Sequence, residues 1–302
     1  MAIIGWIGLG NMGGPMTANL VAAGHTVQGF DLNGEAVAAA QAKGVTPAGS
    51  IAEAVTGAEV VFTMLPKGDH ARAVYLGDDG VLAHAAAGTL LIDSSTIDVK
   101  SSGELHEQAR DKGFRFVDAP VSGGISGAAA GTLCFMVGGA PEDVAAATAF
   151  IEPMAGRVIP TGGPTSGEAA KIVNNMMLFI ELQACAEGAV LADKLGLDPK
   201  TFWEVASVSS GNCWALQTWY PVPDIIETAA ANNGFAATFS AALAQKDIGL
   251  AMDAAAQTGV ELPAARVAQE ALDQLVDDGF ADKDCSLIIR NINPAAQGAP
   301  QA

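Results

Sequence analysis

The sequence predicts an α/β N-terminal domain on a doubly wound, mostly parallel sheet, followed by an all-α C-terminal domain joined through one long interdomain helix. Three observations predict this. Up to about residue 160, short apolar strand-like runs alternate with helix-like stretches, which is the rhythm of βαβ units. Past the loop Thr161-Gly162-Gly163-Pro164-Thr165, strand candidates all but vanish and helical stretches follow one another. Between these regions, residues 166–194 run without a proline until Gly196. A helix of that length spans roughly 40 Å at about 1.5 Å per residue, too long for a small isolated domain. The expectation is that it links the two domains, presents residues to the cleft between them and offers an apolar face to a second copy. The domains are expected at 1–163 and 164–293, with a disordered tail at 294–302.

The first element is the apolar run Ala2 to Ile7, followed by Gly8-Leu9-Gly10-Asn11-Met12-Gly13 and a helix-like stretch from Pro15 to Ala23 that stops at Gly24. Strand, tight glycine turn and helix N-terminus form the context of a Rossmann-like dinucleotide fingerprint. The first glycine permits the turn and the second lets backbone approach a pyrophosphate. The third lets helix and strand pack closely, while free N–H groups and the helix dipole face the anion. A second strand, Thr26 to Phe30, ends at Asp31, which lies 18 residues beyond Gly13. A carboxylate there suits the adenosine ribose hydroxyls. It repels a 2′-phosphate, and Leu32 and Asn33 supply no cation to bind one, so NAD is favoured over NADP. The alternative for Asp31 is a turn or cap acid before Asn33-Gly34.

Further strands are expected at Val60 to Leu65, stopped by Pro66, at Thr89 to Ile92, at Phe114 to Val117 and at Leu133 to Val137. Polar turns follow several of them, Asp93-Ser94-Ser95-Thr96 and Asp118 to Gly124, and a helix is expected from Asp98 to Arg110. In doubly wound sheets, ligands bind beyond the carboxyl ends of the strands, where these turns lie. In the second half, Asp198-Pro199 opens a helix with a capping acid and a first-turn proline. Helices are also expected at 240–258, 263–276 and 282–291.

Bulk properties narrow the function classes. The chain has 302 residues, enough for two domains and a large core. No uninterrupted apolar run reaches the roughly 18 residues of a membrane span, and no signal or transit peptide is evident. A formal net charge of −18, with only 15 Lys plus Arg, disfavours nucleic-acid binding. Cys134, Cys185, Cys213 and Cys285 show no metal or disulfide spacing, so reduced thiols in a cytoplasmic protein are expected. His25, His70, His84 and His106 are equally dispersed, and no metal site is expected.

Chemistry-bearing residues gather on the long helix. Lys171 and Asn175 share a face at i and i+4, with Asn174 close by. Spacing alone leaves a functional cluster and a solvated helix start equally open. The turn Ser122-Gly123-Gly124 reads either as an anion-binding loop or as a plain glycine loop.

The chain resembles the β-hydroxyacid dehydrogenases, and most closely the 3-hydroxyisobutyrate dehydrogenases. The resemblance rests on Gly8 to Gly13 with Met16 and Asn19; on Ile92-Asp93-Ser94-Ser95-Thr96; on Asp118-Ala119-Pro120-Val121-Ser122-Gly123-Gly124; on Gly131-Thr132-Leu133 with Phe135 to Gly139; on Gly167-Glu168-Ala169-Ala170-Lys171 with Asn174-Asn175; and on Lys246-Asp247. It implies NAD-dependent oxidation of 3-hydroxyisobutyrate to methylmalonate semialdehyde in valine breakdown. Lys171 would be the general acid/base, its pKa depressed towards use by burial and the nicotinamide charge. Asn175 would orient the substrate, and Ser122 with the N–H groups of Gly123 and Gly124 would bind its carboxylate. Trp214 would wall the pocket, failing which it is ordinary core. Leu65, Pro66 and Thr96 would lie beside the cofactor with Gly8, Leu9, Gly10, Asn11, Met12, Gly13 and Asp31. Lys246 would reach cofactor or substrate, unless it is a solvated helix lysine.

The chain departs from the family pattern at Thr165, where a further glycine is usual, and at Trp219, where relatives often carry a tyrosine that here stands as Tyr220. Both departures bear on the substrate. An L-serine dehydrogenase or tartronate semialdehyde reductase is the alternative. A non-catalytic dinucleotide-binding interaction protein and an imine reductase are disfavoured by the presence of Lys171. A homodimer or homotetramer is expected.

Overall fold

In a computed structural model, which describes residues 1–294, the chain divides into two compact units, Met1–Lys171 and a second beginning at Ile172. The first unit carries nine strands: β1 (Ile3–Ile7), β2 (Thr26–Phe30), β3 (Thr46–Pro47), β4 (Val60–Thr63), β5 (Leu90–Asp93), β6 (Arg115–Asp118), β7 (Val121–Ser122), β8 (Leu133–Gly139) and β9 (Ala155–Gly162). They form one sheet in the order β3-β2-β1-β4-β5-β6-β8-β7, with β9 on β8. All pairings from β3 to β6 are parallel, in the strand order of the doubly wound dinucleotide folds. Beyond them β8 runs antiparallel to β6 and β7 and parallel to β9.

Side-chain alternation explains why the sheet is covered on both faces. Ile4, Trp6, Val60, Phe62, Leu90 and Ile92 enter one core cluster, and Ile7, Val61, Leu91 and Phe116 enter another. Successive strand residues point to opposite faces, so strands buried on both sides read as continuous apolar runs. The parallel register brings the strand ends level. The Gly8 N–H donates to the Phe30 carbonyl, Met64 N–H to Ile7, Ser94 N–H to Thr63 and Ala119 N–H to Asp93, at 2.7–2.9 Å. The polar turns after β1, β2, β4, β5 and β6 therefore share one edge. The sequence reading misses β3, β7 and β9: the first two have only two residues each, and β9 is largely exposed, with little apolar alternation to mark it.

In the second unit, Phe179, Leu182 and Ala186 of the long helix (Ser166–Lys194) pack with Tyr220, Ile248, Leu272 and Ile288. This 29-residue helix is long and apolar enough to cross a membrane by length and composition, although Lys171, Asn174 and Asn175 interrupt it. Helices follow at Pro199–Ser207, capped by Asp198, at Ala241–Thr258, capped by Ser240, and at Pro263–Leu275. The helix expected at 282–291 is broken. Buried Asp284 accepts from the N–H groups of Thr238, Phe239 and Ser286, which ties the segment down as a short 3-10 turn, Cys285–Ile288, before Ile289–Ile292. All but the first residue of the expected tail at 294–302 lies outside the described residues.

Candidate active site

The glycine turn after β1 is forced by contacts. Gly8 has φ +97°, and a Cβ there would lie 2.2 Å from the Met64 carbonyl oxygen. A Cβ on Gly13 would lie 1.9 Å from the Gly8 oxygen, whereas one on Gly10 would meet nothing within 4 Å. The first and third glycines are thus spoken for by the fold, and the second faces open space where another molecule's backbone-close group fits. The Trp6 indole donates to the Gly8 carbonyl at 2.7 Å and fixes the turn. The helix that follows (Gly13–Ala22) has no side-chain cap; its Gly14 N–H goes to the Gly10 carbonyl and Pro15 has none, so what it offers an anion is chiefly the positive end of its dipole beside the open face of Gly10.

Asp31 stands beside this turn. Its Oδ2 accepts from the Leu9 N–H at 2.6 Å and its Oδ1 from the Asn33 N–H at 2.8 Å. The carboxylate is therefore both turn acid and oriented acceptor: each oxygen keeps a lone pair for a ribose hydroxyl. An open second glycine, an uncapped helix start and an oriented carboxylate fit an NAD-type dinucleotide.

The neighbouring turns are braced from below. The Leu65 N–H donates to Ser95 Oγ at 2.9 Å, and Ser95 Oγ donates in turn to Asp93 Oδ1. Thr63 Oγ1 also donates to Asp93 at 2.7 Å. Burial holds the Asp93 carboxyl above the ordinary carboxylate range, against hydrogen bonds from Ser95 and Thr63 that favour the anion. This network fixes the Leu65-Pro66 loop against the turn carrying Thr96, yet neither Asp93 nor Ser95 received a role from sequence. Their signals were a polar turn at a strand end and membership of the motif Ile92 to Thr96, neither of which shows what they hold.

At the far side of the parallel strands, Ser122 lies in β7 opposite Cys134. Gly123 (φ +136°) and Gly124 (φ +64°) turn the chain into the Gly124–Ala130 helix. Nothing lies within 4 Å of a Cβ at Gly124, and both glycines are exposed.

On the long helix, Lys171 is 7% and Asn175 2% exposed. The solvated-start reading is thus excluded for both and holds only for Asn174, which is exposed. Asn175 Nδ2 donates to Asp247 Oδ2 at 2.7 Å, and Lys246 Nζ lies 2.7 Å from Asp247 Oδ1. Lys246 is therefore no free solvated lysine. Asp247 is buried and unites the two residues that sequence treated separately. Its adjacency to Lys246 was visible; its bond to Asn175, 72 positions away, was not. Trp214 is 49% exposed and packs edge-on against Trp219, with ring centroids 5.0 Å apart, so it is not ordinary core. Trp219 in turn faces Phe239, while Tyr220 is fully buried. The tyrosine shifted by one position has gone to the core, and a half-buried tryptophan stands in its place.

Comparison with known proteins finds relatives over nearly the whole chain. Residues 3–163 match the family described as the NAD binding domain of 6-phosphogluconate dehydrogenase. Residues 165–292 match the family described as NAD-binding of NADP-dependent 3-hydroxyisobutyrate dehydrogenase. The chain is 47% identical over 296 residues to a probable 3-hydroxyisobutyrate dehydrogenase of Mycobacterium tuberculosis, covering 98% of this chain and 99% of that one. It is 40% identical over 294 residues to an NAD-dependent L-serine dehydrogenase of Pseudomonas aeruginosa, covering 97% and 99%. A solved structure of the M. tuberculosis 3-hydroxyisobutyrate dehydrogenase with L-serine superposes with a TM-score of 0.91 at 47% identity, covering 97% and 99%.

Proposed function

The chain belongs to the 3-hydroxyisobutyrate dehydrogenase family of NAD-dependent oxidoreductases, and from that premise we propose that it oxidises 3-hydroxyisobutyrate to methylmalonate semialdehyde, a step of valine breakdown. The observation that carries the reading is the burial of Lys171 and Asn175 one helical turn apart, with Asn175 anchored by Asp247. An isolated surface helix has no reason to bury an amine and an amide together, because each must be compensated. Bound NAD supplies a hydride acceptor. The chain supplies the rest: Lys171 Nζ takes the hydroxyl proton, and the Asn175 amide orients the hydroxyl. Ser122 Oγ and the Gly123 and Gly124 N–H groups take the carboxylate. Gly8 to Gly13, Asp31, Leu65, Pro66, Thr96 and Lys246 serve the dinucleotide, and Trp214 shields the substrate. In this reading 1–163 is the dinucleotide domain and 164–293 the substrate and dimerisation domain, in a cytoplasmic homo-oligomer.

L-serine is the second reading, favoured by the 40% identical L-serine dehydrogenase and by the L-serine named with the related structure. It also carries a 3-hydroxyl and a carboxylate and differs in bearing an ammonium where 3-hydroxyisobutyrate has a methyl. NADH formation from 3-hydroxyisobutyrate, L-serine and glycerate at equal enzyme decides between them. The highest kcat/KM is expected with 3-hydroxyisobutyrate, and a dominant rate with L-serine reverses the order. Lys171→Ala is expected to lower kcat by roughly a thousandfold, within the range for a lost acid/base group, while NAD still quenches tryptophan fluorescence. Retention of a tenth of the activity removes Lys171 from its role.

A further inference from the structure

We propose that His106 and Asp118 are positioning residues that clamp the first turn of the helix carrying Lys171; the catalytic part of this inference rests on the acid/base reading of Lys171. Asp118 ends β6 and is 1% exposed. Its Oδ1 accepts from the Thr165 N–H at 2.9 Å and its Oδ2 from the Glu168 N–H at 2.9 Å. The Glu168 N–H lies in the first turn of the Ser166–Lys194 helix, where no intrahelical acceptor exists, and Thr165 immediately precedes that helix. A carboxylate there meets both the open donors and the positive end of the helix dipole. Lys171 follows Glu168 by three residues and lies on the same face.

His106 holds the carboxylate in turn. Its Nε2 lies 2.7 Å from Asp118 Oδ1, with the ring almost wholly buried and edge-on to Phe116, centroids 4.7 Å apart. An ionised carboxylate only accepts, so Nε2 carries the proton and donates. The same Nε2 is therefore closed to the Thr165 N–H, 3.4 Å away, which goes to Asp118 alone. Room for the carboxylate is made by two glycines. A Cβ on Gly138 would come within 2.7 Å of Asp118 Oδ1, and one on Gly167 within 2.8 Å of Oδ2.

The clamp also accounts for Thr165, whose φ of +71° is left-handed for a β-branched residue. That conformation is strained for an L residue with a branched side chain and persists only where the surroundings impose it. The bond from its own N–H to Asp118 is that constraint. Helix start, loop strain and Lys171 are thereby fixed relative to the β6 end of the sheet.

The test uses the full chain with three variants, His106→Leu, His106→Gln and Lys171→Ala. Glutamine places an amide donor near the position of Nε2, whereas leucine keeps bulk without a donor. His106→Leu is expected to lower kcat about tenfold, the scale of a sub-ångström misplacement, with the NAD dissociation constant within about twofold. His106→Gln is expected to recover most of that loss. Hydrogen exchange followed by NMR is expected to quicken at the Thr165 and Glu168 amides in His106→Leu and to return towards the wild-type rate in His106→Gln. Unchanged kcat and unchanged exchange in His106→Leu overturn the clamp, as does a loss that glutamine does not recover. Quickened exchange with an active Lys171→Ala leaves the clamp standing and instead removes the acid/base reading.

Discussion

At the scale of single residues, Asp93 shows what it takes to brace a ligand-facing loop from inside a sheet. Its carboxyl sits where the β5 chain leaves the sheet, fully buried, and accepts from Thr63 and Ser95. Desolvation outweighs those bonds and raises its pKa. A carboxyl whose folded pKa exceeds its unfolded value stabilises the fold below the unfolded value, and that contribution is lost as pH rises through the folded one. Asparagine keeps the accepting oxygen and carries no charge at any pH. The stability of Asp93→Asn relative to wild type is therefore expected to improve as pH rises above the ordinary carboxylate range and to level off once the folded carboxyl is ionised, measured by urea unfolding at unit pH intervals. A difference that stays flat, or runs the other way, shows that the hydrogen bonds rather than burial govern this carboxyl. Tyr220 is a related case: burial pushes its hydroxyl up to about 12, so it stays protonated in the core.

At the scale of elements, the strand–turn–helix unit separates what the fold needs from what the ligand needs. Gly13→Ala drives a methyl to within 1.9 Å of the Gly8 oxygen, where backbone has to move. It is expected to lower the unfolding free energy by more than about 2 kcal/mol, as overpacking against backbone does. Gly10→Ala meets no protein atom within 4 Å, so it is expected to leave the unfolding midpoint unchanged while weakening NAD binding at least tenfold. Equal NAD affinity in Gly10→Ala would mean that the pyrophosphate lies elsewhere. This unit was legible in sequence because a short local pattern dictates it: apolar run, glycine spacing, helix, and an acid at the end of the next strand. The long helix was legible for a similar reason, its bounds following from the absence of proline and the closing glycine. What stayed hidden was pairing at a distance. His106 with Asp118 and Asn175 with Asp247 meet through tertiary packing, and a sequence in which four histidines look dispersed cannot show which of them lies against a carboxylate.

At the scale of the whole molecule, net charge has consequences that no single site explains. Thirty-three acidic residues face 15 lysines and arginines, for a net charge of −18. Several of the cations are already committed: Lys246 to Asp247, Arg115 to Asp143 and Arg266 to Glu261. Like-charge repulsion across the surface thus outweighs the attraction of the surface pairs, which individually contribute about 0–1 kcal/mol. Repulsion among exposed charges extends about 30 Å at 0.01 M salt and about 8 Å at 0.15 M, so added salt relieves it more than it weakens contacts already formed. The same field repels an anionic dinucleotide and an anionic hydroxy acid from afar, leaving short-range donors to hold them once they arrive. Both effects point one way. Between 10 and 200 mM NaCl at pH 7.5 the unfolding midpoint is expected to rise by several degrees, and kcat/KM for the hydroxy acid to rise with it. A basic protein of the same fold class would show the opposite trend in kcat/KM. A midpoint that stays level or falls would locate the balance in the paired charges rather than in the net acidity. A level kcat/KM would mean that local cations already cancel the field at the site.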